Sequence, residues 1–508
     1  MRTVPITDRA LASARSARRA ARRGQWRTHW EPEDDDFWRT TGRRLANKNL
    51  FLSVVTDHVA FCTWTMWTVV VVNLPNAGIN LSLSASFFLT LAPNLIGSLL
   101  RIPYTFAVPR FGGRAWTTAS SLLLLLPALL LALVVPSHWL AHLRHGTQFW
   151  VLLACAGSAG VGGANFASSM ANISHFYPQR AQGLALGLNA AGGNVGVAVS
   201  QLLVPLVISA GVPAVAASST HHQVHLAYAG WLWVPLILLS AVGAWRYMDS
   251  LDQAKGDRHS YLAAVRAPQT WLLSLLYIGT FGSFIGYSFA LPLVIRNSFP
   301  TFLNDHPVVA TYLGGLSFLG ALVGSLARPL GGWLADRLGG AQVTAATFAG
   351  MAAFTGVAIA GVDHHRFGTF LFSFLVLFLF AGMGNGSVYK LIVTVFASNQ
   401  VARSVTGGVA PIAELRRRAA AAVGIAGAVG ALGGVGVQVV LRQASLHVSA
   451  LEATARTPAL REAVAAANSS WCTSALWLFL ASYVSLGILT CVAYLRRTPN
   501  TVLATAEG

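Results

Sequence analysis

The chain has 508 residues, of which 54% are hydrophobic and 10% are Asp, Glu, Lys or Arg, with a mean hydropathy of +0.57. A soluble domain carries about 25% charged residues to face water, so this composition excludes a string of soluble domains. The net charge of +18, from 35 Lys+Arg against 17 Asp+Glu, suggests a nucleic-acid partner only until the charges are located.

Residues 1–49 differ from the rest: RALASARSARRAARR (9–23) is followed by an acidic patch from Glu31 to Asp36. No apolar segment with a small-residue cleavage site follows, so the segment reads as a retained, flexible, cytoplasmic Arg-rich tail. From Leu50 onward, apolar runs of about 20 residues or more recur, the length that crosses a bilayer as a helix. Twelve are expected, over roughly 50–74, 86–109, 115–135, 148–172, 182–209, 228–248, 270–295, 308–334, 341–361, 368–396, 418–441 and 471–495. A membrane β-barrel needs alternating segments of about ten residues, and LLLLLPALLLALVV (122–135) does not alternate. The fold class is therefore an all-α membrane protein. Cys62, Cys155, Cys472 and Cys491 lie singly in apolar stretches and read as packing residues.

With the tail placed in the cytoplasm, 26 of the basic residues fall inside and six outside, and 14 against six remain when the tail is left out. This bias puts both termini inside. The longest inner connection, 249–269, divides the spans six and six, giving bundles over 50–248 and 270–497 and a short C-terminal tail, 498–508. The two sets are expected to be pseudo-symmetric repeats. GSLLRIPYTFAVPRFGG (97–113) and GSLARPLGGWLADRLGG (324–340) share Gly, Ser, Arg and Gly-Gly at a constant offset of 227 residues.

Three basic residues fit neither side: Arg101, Arg328 and Lys390. A charge at bilayer depth costs at least ~2.5–3.5 kcal/mol and usually faces a cavity or a partner. Snorkelling is the alternative. Arg101 is nine residues from Arg110, about 15 Å of helix, which matches half the hydrocarbon thickness and strains that alternative. Among the acidic residues only Asp57 lies within a span, near its expected inner end, and Asp336 sits at the end of span eight. Buried cations without anions at their depth call for a mobile anion, and one arginine from each half forms a clamp for a flat oxyanion. Asn165, Asn194 and Asn385 add amide donors within glycine-rich stretches. Asn194 fits equally well a neighbouring helix or a ligand.

GLNAAGGNVGVAVSQ (187–201), GIAGAVGALGGVGVQ (424–438), LLRIPYTFAVPRFGGR, GANFASSMANISHFYP, YIGTFGSFIGYS and GWLADRLGG together resemble the NarK-type nitrate/nitrite porter family of the major facilitator superfamily, over about residues 50–497. The resemblance implies two six-helix bundles that bind nitrate and nitrite, with Arg101 and Arg328 holding the anion and Asn194 beside them. It implies that Tyr277 hydrogen-bonds substrate and that Phe166 and Phe281 wall the site. It also implies that Gly192, Gly193, Gly196, Gly430, Gly433 and Gly434 let helices rock past one another. Lys390 departs from the family pattern as an extra cation expected to face the cavity.

The function expected is nitrate/nitrite exchange by alternating access, because an unloaded pair of arginines is too cationic to cross readily. Proton-coupled nitrate symport is the alternative, with Asp57, His58 or Lys390 as the titratable groups on offer. An anion channel is the rival from outside the transporters; saturation and trans-stimulation would argue against it. No HExxH, GxSxG or clustered His/Cys set points to an enzyme, a metal or a cofactor. The bilayer is the expected partner, nucleic acid is not, and a monomer is expected.

Overall fold

The computed structural model describes residues 25–210, 224–252, 258–404, 412–454, 456–460 and 470–495. The Arg-rich stretch 9–23 and the tail 498–508 lie outside the described residues. Among those described, twelve helices are long and apolar enough to cross a bilayer. They are α1 (Asp35–Asn73), α2 (Leu83–Thr105), α3 (Gly113–Leu133), α4 (His145–Phe176), α5 (Gln179–Ile208), α6 (Ala227–Tyr247), α7 (Pro268–Ser298), α8 (Phe318–Leu338), α9 (Gly340–Asp363), α10 (Phe367–Phe396), α11 (Ala421–Ala450) and α12 (Thr473–Leu495). Each apolar run has become one span. The ends near residues 43, 110 and 250 define a tail face, and the opposite ends a far face.

The repeat seen in the sequence is repeated in the backbone. Gly112, between α2 and α3, has φ 83° and ψ 150°, and Gly339, between α8 and α9, has φ 95° and ψ 139°. Both sit in a left-handed region that favours glycine, so the same tight turn closes both copies.

Two expectations need correction. Span eight does not start near 308. Pro300 and Pro307 each begin a short helix, Pro300–Asp305 and Pro307–Tyr312, and Gly314, Gly315 and Leu316 then take φ of 53°, 65° and 67°. Positive φ breaks the helix, so α8 begins only at Phe318.

The second correction concerns the tail, whose described part is structured rather than flexible. Asp34 caps α1 through its side chain, which accepts from the Phe37 N–H at 2.8 Å. Trp30 and Trp38 are buried against Phe176, Tyr177 and Leu251. A two-residue strand β1 (Trp26–Arg27) pairs in parallel with β2 (Ser250–Leu251). The buried Asp249 carboxylate accepts from the Gln25 N–H (3.0 Å), Arg27 Nε (3.2 Å) and Asn49 Nδ2 (3.1 Å), and pairs with Lys48 Nζ at 2.5 Å. Apolar burial and one carboxylate thus clasp residues 25–49 to the start of the central connection.

The first six spans meet the last six mainly through α2 against α11 and α5 against α8. On the far-face side, hydrogen bonds cross between the sets. Ser84 N–H donates to Ser449 Oγ (3.1 Å), Gln201 Nε2 to the Ser288 carbonyl (2.6 Å), and Arg296 Nη1 to the Val72 carbonyl. The α7 span is the most enclosed, with 94% of its most apolar stretch buried.

Candidate functional site

The site is assembled from α1, α2, α4, α7, α8 and α10. In α7 the regular helix Pro268–Tyr277 gives way to a π-turn at Ile278–Gly282. Such turns are rare and recur at functional sites. Gly282 permits it to press on α11: a Cβ there would lie 2.7 Å from the Gly433 Cα. The turn stacks Tyr277 on Phe281, with ring centroids 5.1 Å apart and planes 8° apart. Phe281 also stacks on Phe166 of α4 (6.0 Å, 19°), and Tyr277 on Tyr389 of α10 (4.9 Å, 20°).

Both arginines project onto these rings. The Arg101 guanidinium carbon lies 4.9 Å from the Phe166 centroid, 5.2 Å from Phe281 and 5.7 Å from Trp64. Arg328 lies 5.7 Å from Phe166, 5.9 Å from Phe281 and 5.0 Å from Tyr389. Cation–π contacts of this kind are worth ~0.5–2 kcal/mol each and partly offset desolvation. Arg101 donates from Nε to the Gly163 carbonyl (3.1 Å) and from Nη1 to the Gly427 carbonyl (2.8 Å), so it bridges the two sets of spans. Arg328 donates from Nη2 to the Tyr277 hydroxyl (3.1 Å). Both guanidiniums are buried, yet Arg101 Nη2 and Arg328 Nη1 have no acceptor among the described residues, and no described carboxylate lies within 4.0 Å of either group. A buried charged donor left unpaired costs ~1–3 kcal/mol or more, which a small planar anion on the Phe166–Phe281 pair can recover.

Arg101, Arg328, Tyr277, Phe166 and Phe281 are therefore brought together. Asn194 on α5 and Asn385 on α10 are buried, and both atoms of each amide lack hydrogen bonds among the described residues.

Lys390 is not brought to the site, which corrects its expected place in the cavity. Its side chain is 45% exposed and pairs with Asp336 at 2.5 Å. Adjacent helical residues point about 100° apart, and it is the neighbour Tyr389 that turns inward onto Arg328.

Asp57 also differs from expectation. Because α1 begins at Asp35, Asp57 lies deep in the bundle and fully buried rather than at a span's inner end. Ser169 Oγ donates to its Oδ2, as does Asn189 Nδ2 at 3.4 Å. His58 is half-buried, with Nδ1 3.0 Å from the Gly192 carbonyl between α1 and α5.

The motif glycines are close-approach positions. A Cβ at Gly192 would lie 2.4 Å from Val54 Cγ1, at Gly196 2.4 Å from the His58 carbonyl oxygen, and at Gly430 2.3 Å from Tyr277 Cδ1. At Gly433 it would lie 2.9 Å from Ile278 Cγ2, and at Gly434 2.7 Å from Asn94 Nδ2. Gly193 is the exception: its nearest neighbour is Asp57 Cβ at an ordinary 3.4 Å.

The sequence reading missed Trp64, Tyr389 and Asn94. Asn94 is fully buried with both amide atoms unpartnered among the described residues. It precedes Arg101 by seven residues, two turns on one helix face, and that spacing was the available signal.

The sequence matches the family model for the Major Facilitator Superfamily over residues 59–438. It is 38% identical over 416 residues to the nitrate/nitrite transporter NarU of Escherichia coli (strain K12), covering 80% of this chain and 87% of that one. It is 37% identical over 403 residues to the probable nitrate/nitrite antiporter NarK2 of Thermus thermophilus, covering 77% and 87%. Among solved structures, a bacterial homolog of the human lysosomal transporter Spinster, inward-facing and occupied, superposes with a TM-score of 0.60 at 15% identity, covering 89% of this chain and 98% of that one. A D-xylose-proton symporter gives 0.60 at 14%, covering 88% and 97%. At these identities the structural likeness speaks for the fold alone.

Proposed function

The chain belongs to the nitrate/nitrite porter family of the major facilitator superfamily, and on that footing we propose that it exchanges nitrate and nitrite across the cytoplasmic membrane by alternating access. The observation that carries this reading is the arginine pair. Two guanidiniums, one from each set of six spans, lie over the same Phe166–Phe281 pair, and each retains a donor without an acceptor among the described residues. Nitrate and nitrite are flat, monovalent and rich in acceptors, which suits guanidinium donors above and aromatic faces below. Tyr277 fixes Arg328, and the carbonyls of Gly163 and Gly427 fix Arg101. Asn94, Asn194 and Asn385 supply neutral amides for an anion in transit.

Exchange is favoured over uniport because the unloaded clamp is cationic, and moving net charge through the low-dielectric core is unfavourable. The halves rock where motif glycines let α5 lie on α1 and α11 on α7. The excess of Lys and Arg on the tail face supports placing both termini in the cytoplasm. Proton symport is the second reading, favoured by one observation, the buried Asp57 carboxylate.

Counterflow in proteoliposomes tests both readings, with nitrate outside, nitrite inside, and a pH gradient present or absent. Exchange without the gradient, lost in Arg101→Ala and in Arg328→Ala, is the expected outcome. Full activity in either alanine variant would reject the site, and a strict need for the gradient would reject exchange.

A further inference from the structure

The Asp57 carboxylate belongs to a ladder that leads to the clamp. Helices α1 and α4 run antiparallel in one register: Asp57 meets Ser169, Phe61 meets Phe166 (6.0 Å between centroids), and Trp64 lies against Gly163. The last rung of that ladder holds Arg101, whose Nε donates to the Gly163 carbonyl and whose guanidinium lies over Trp64. Ser169 is six residues beyond Gly163, so the carboxylate stands about 9 Å from the clamp along the helix axis. Asn189 of α5 completes the far side, donating to both Asp57 Oδ2 (3.4 Å) and Ser169 Oγ (2.9 Å). Asp57 Oδ1 has no partner among the described residues, and no described cation lies within 4.0 Å of the carboxylate. The groups packed on it from α4 and α5 are neutral. Arg101 on α2 is the charged group whose field reaches it. His58, the titratable neighbour on α1, turns its Nδ1 to the Gly192 carbonyl instead.

We propose that Asp57, in its ionised form, is the counter-charge of the anion clamp, a positioning residue that makes the core electrically neutral when one monovalent anion is bound. The proposal rests on reading Arg101 and Arg328 as that clamp. Two guanidiniums and one carboxylate leave an unloaded core at +1. One nitrate or nitrite brings it to zero, and a divalent anion would leave −1. The neutral, singly loaded form is the one that crosses, so the carboxylate selects anion charge where the aromatic faces select shape. The same carboxylate repels the bound anion, and taking up a proton relieves that repulsion. Nitrate affinity therefore rises as the pH falls through the titration of Asp57.

The test is nitrate binding and counterflow by the full-length protein in proteoliposomes between pH 5.5 and 8.5. Asp57→Asn keeps an acceptor for Ser169 and removes the charge. Its KM for nitrate is expected to drop on the order of tenfold at pH 8, its turnover to fall because the loaded core is now +1, and its affinity to become independent of pH. A KM and pH profile like those of the unmodified protein, or a raised KM, would overturn the proposal. Should Asp57→Asn fail to accumulate in the membrane, Ser169→Ala serves. Without the hydroxyl that favours the ionised form, the affinity midpoint is expected at higher pH, and an unmoved midpoint counts against the idea. An active Arg101→Ala would instead sink the clamp itself, so the two failures are distinguishable.

Discussion

The two glycine motifs give the sharpest quantitative test, because a methyl group fits at one position and not at another. In Gly430→Ala the new Cβ would lie 2.3 Å from Tyr277 Cδ1 and 3.1 Å from Cε1, so the ring must move by about 1 Å to regain ordinary contact. The ring is already stacked with Phe281 at 5.1 Å and with Tyr389 at 4.9 Å, so a shift of that size disturbs both contacts. Overpacking of this kind costs ~1–3 kcal/mol. A displaced Tyr277 also forfeits the 3.1 Å bond from Arg328, a hydrogen bond to a charged group worth ~1.5–3 kcal/mol. If that loss falls on the bound state, KM for nitrate rises roughly 10- to 100-fold. Gly193→Ala is the control. Its methyl meets Asp57 Cβ at 3.4 Å and Phe61 at 3.5 Å, and replacing a helical glycine by alanine gains up to ~1 kcal/mol. It is expected to melt no lower than the unmodified protein and to exchange within about twofold of its rate. Thermal unfolding in detergent and nitrate/nitrite counterflow read both quantities. A Gly430→Ala variant with unchanged KM, or a Gly193→Ala variant as damaged as Gly430→Ala, would refute the packing argument.

Other outcomes follow from the same geometry. Arg101→Lys and Arg328→Lys should each lose exchange by at least an order of magnitude in counterflow, since an ammonium lacks the planar fork. Lys390→Ala should keep KM and turnover within about twofold, because an ion pair this exposed is worth ~0–1 kcal/mol. Asp249→Asn removes a buried carboxylate that ties Gln25, Arg27, Lys48 and Asn49. It should lower stability on the order of 2–3 kcal/mol and open residues 25–42 to limited proteolysis, with exchange retained at low temperature.

The spans were legible because bilayer thickness imposes one length on every apolar run, and Arg101 and Arg328 because a charge in such a run has few uses. The errors arose where composition is blind to direction. Lys390 sits in an apolar run, but its long stem carries the ammonium out to Asp336 while Tyr389 faces in. Asp57 reads as lying near a helix end because the polar residues before Leu50 hide the first turns of α1. The start of α8 is hidden in the sequence because 308–317 is apolar while its glycines take positive φ. Trp64 and Asn94 were missed since their roles depend on which helix lies opposite, which no local pattern encodes. The order of residues 25–49 is illegible for the same reason: Trp30 and Trp38 are buried in a cluster with Phe176, Tyr177 and Leu251, far away in sequence.

The clasp at Asp249 has a consequence for the size of the transport movement. The central connection spans 249–269 in the sequence, a slack rope by that count, but its start is pinned by β1–β2 to the first six spans. The helix Arg258–Arg266 packs on the helix that contains α11, in the last six. Between these two attachments the chain runs seven residue steps, from Leu251 to Arg258, which reach at most ~25 Å. For the proposed rocking of the two halves, that reach sets an upper limit on how far these two attachment points can separate on this face, and the N-terminal segment fixes one of them.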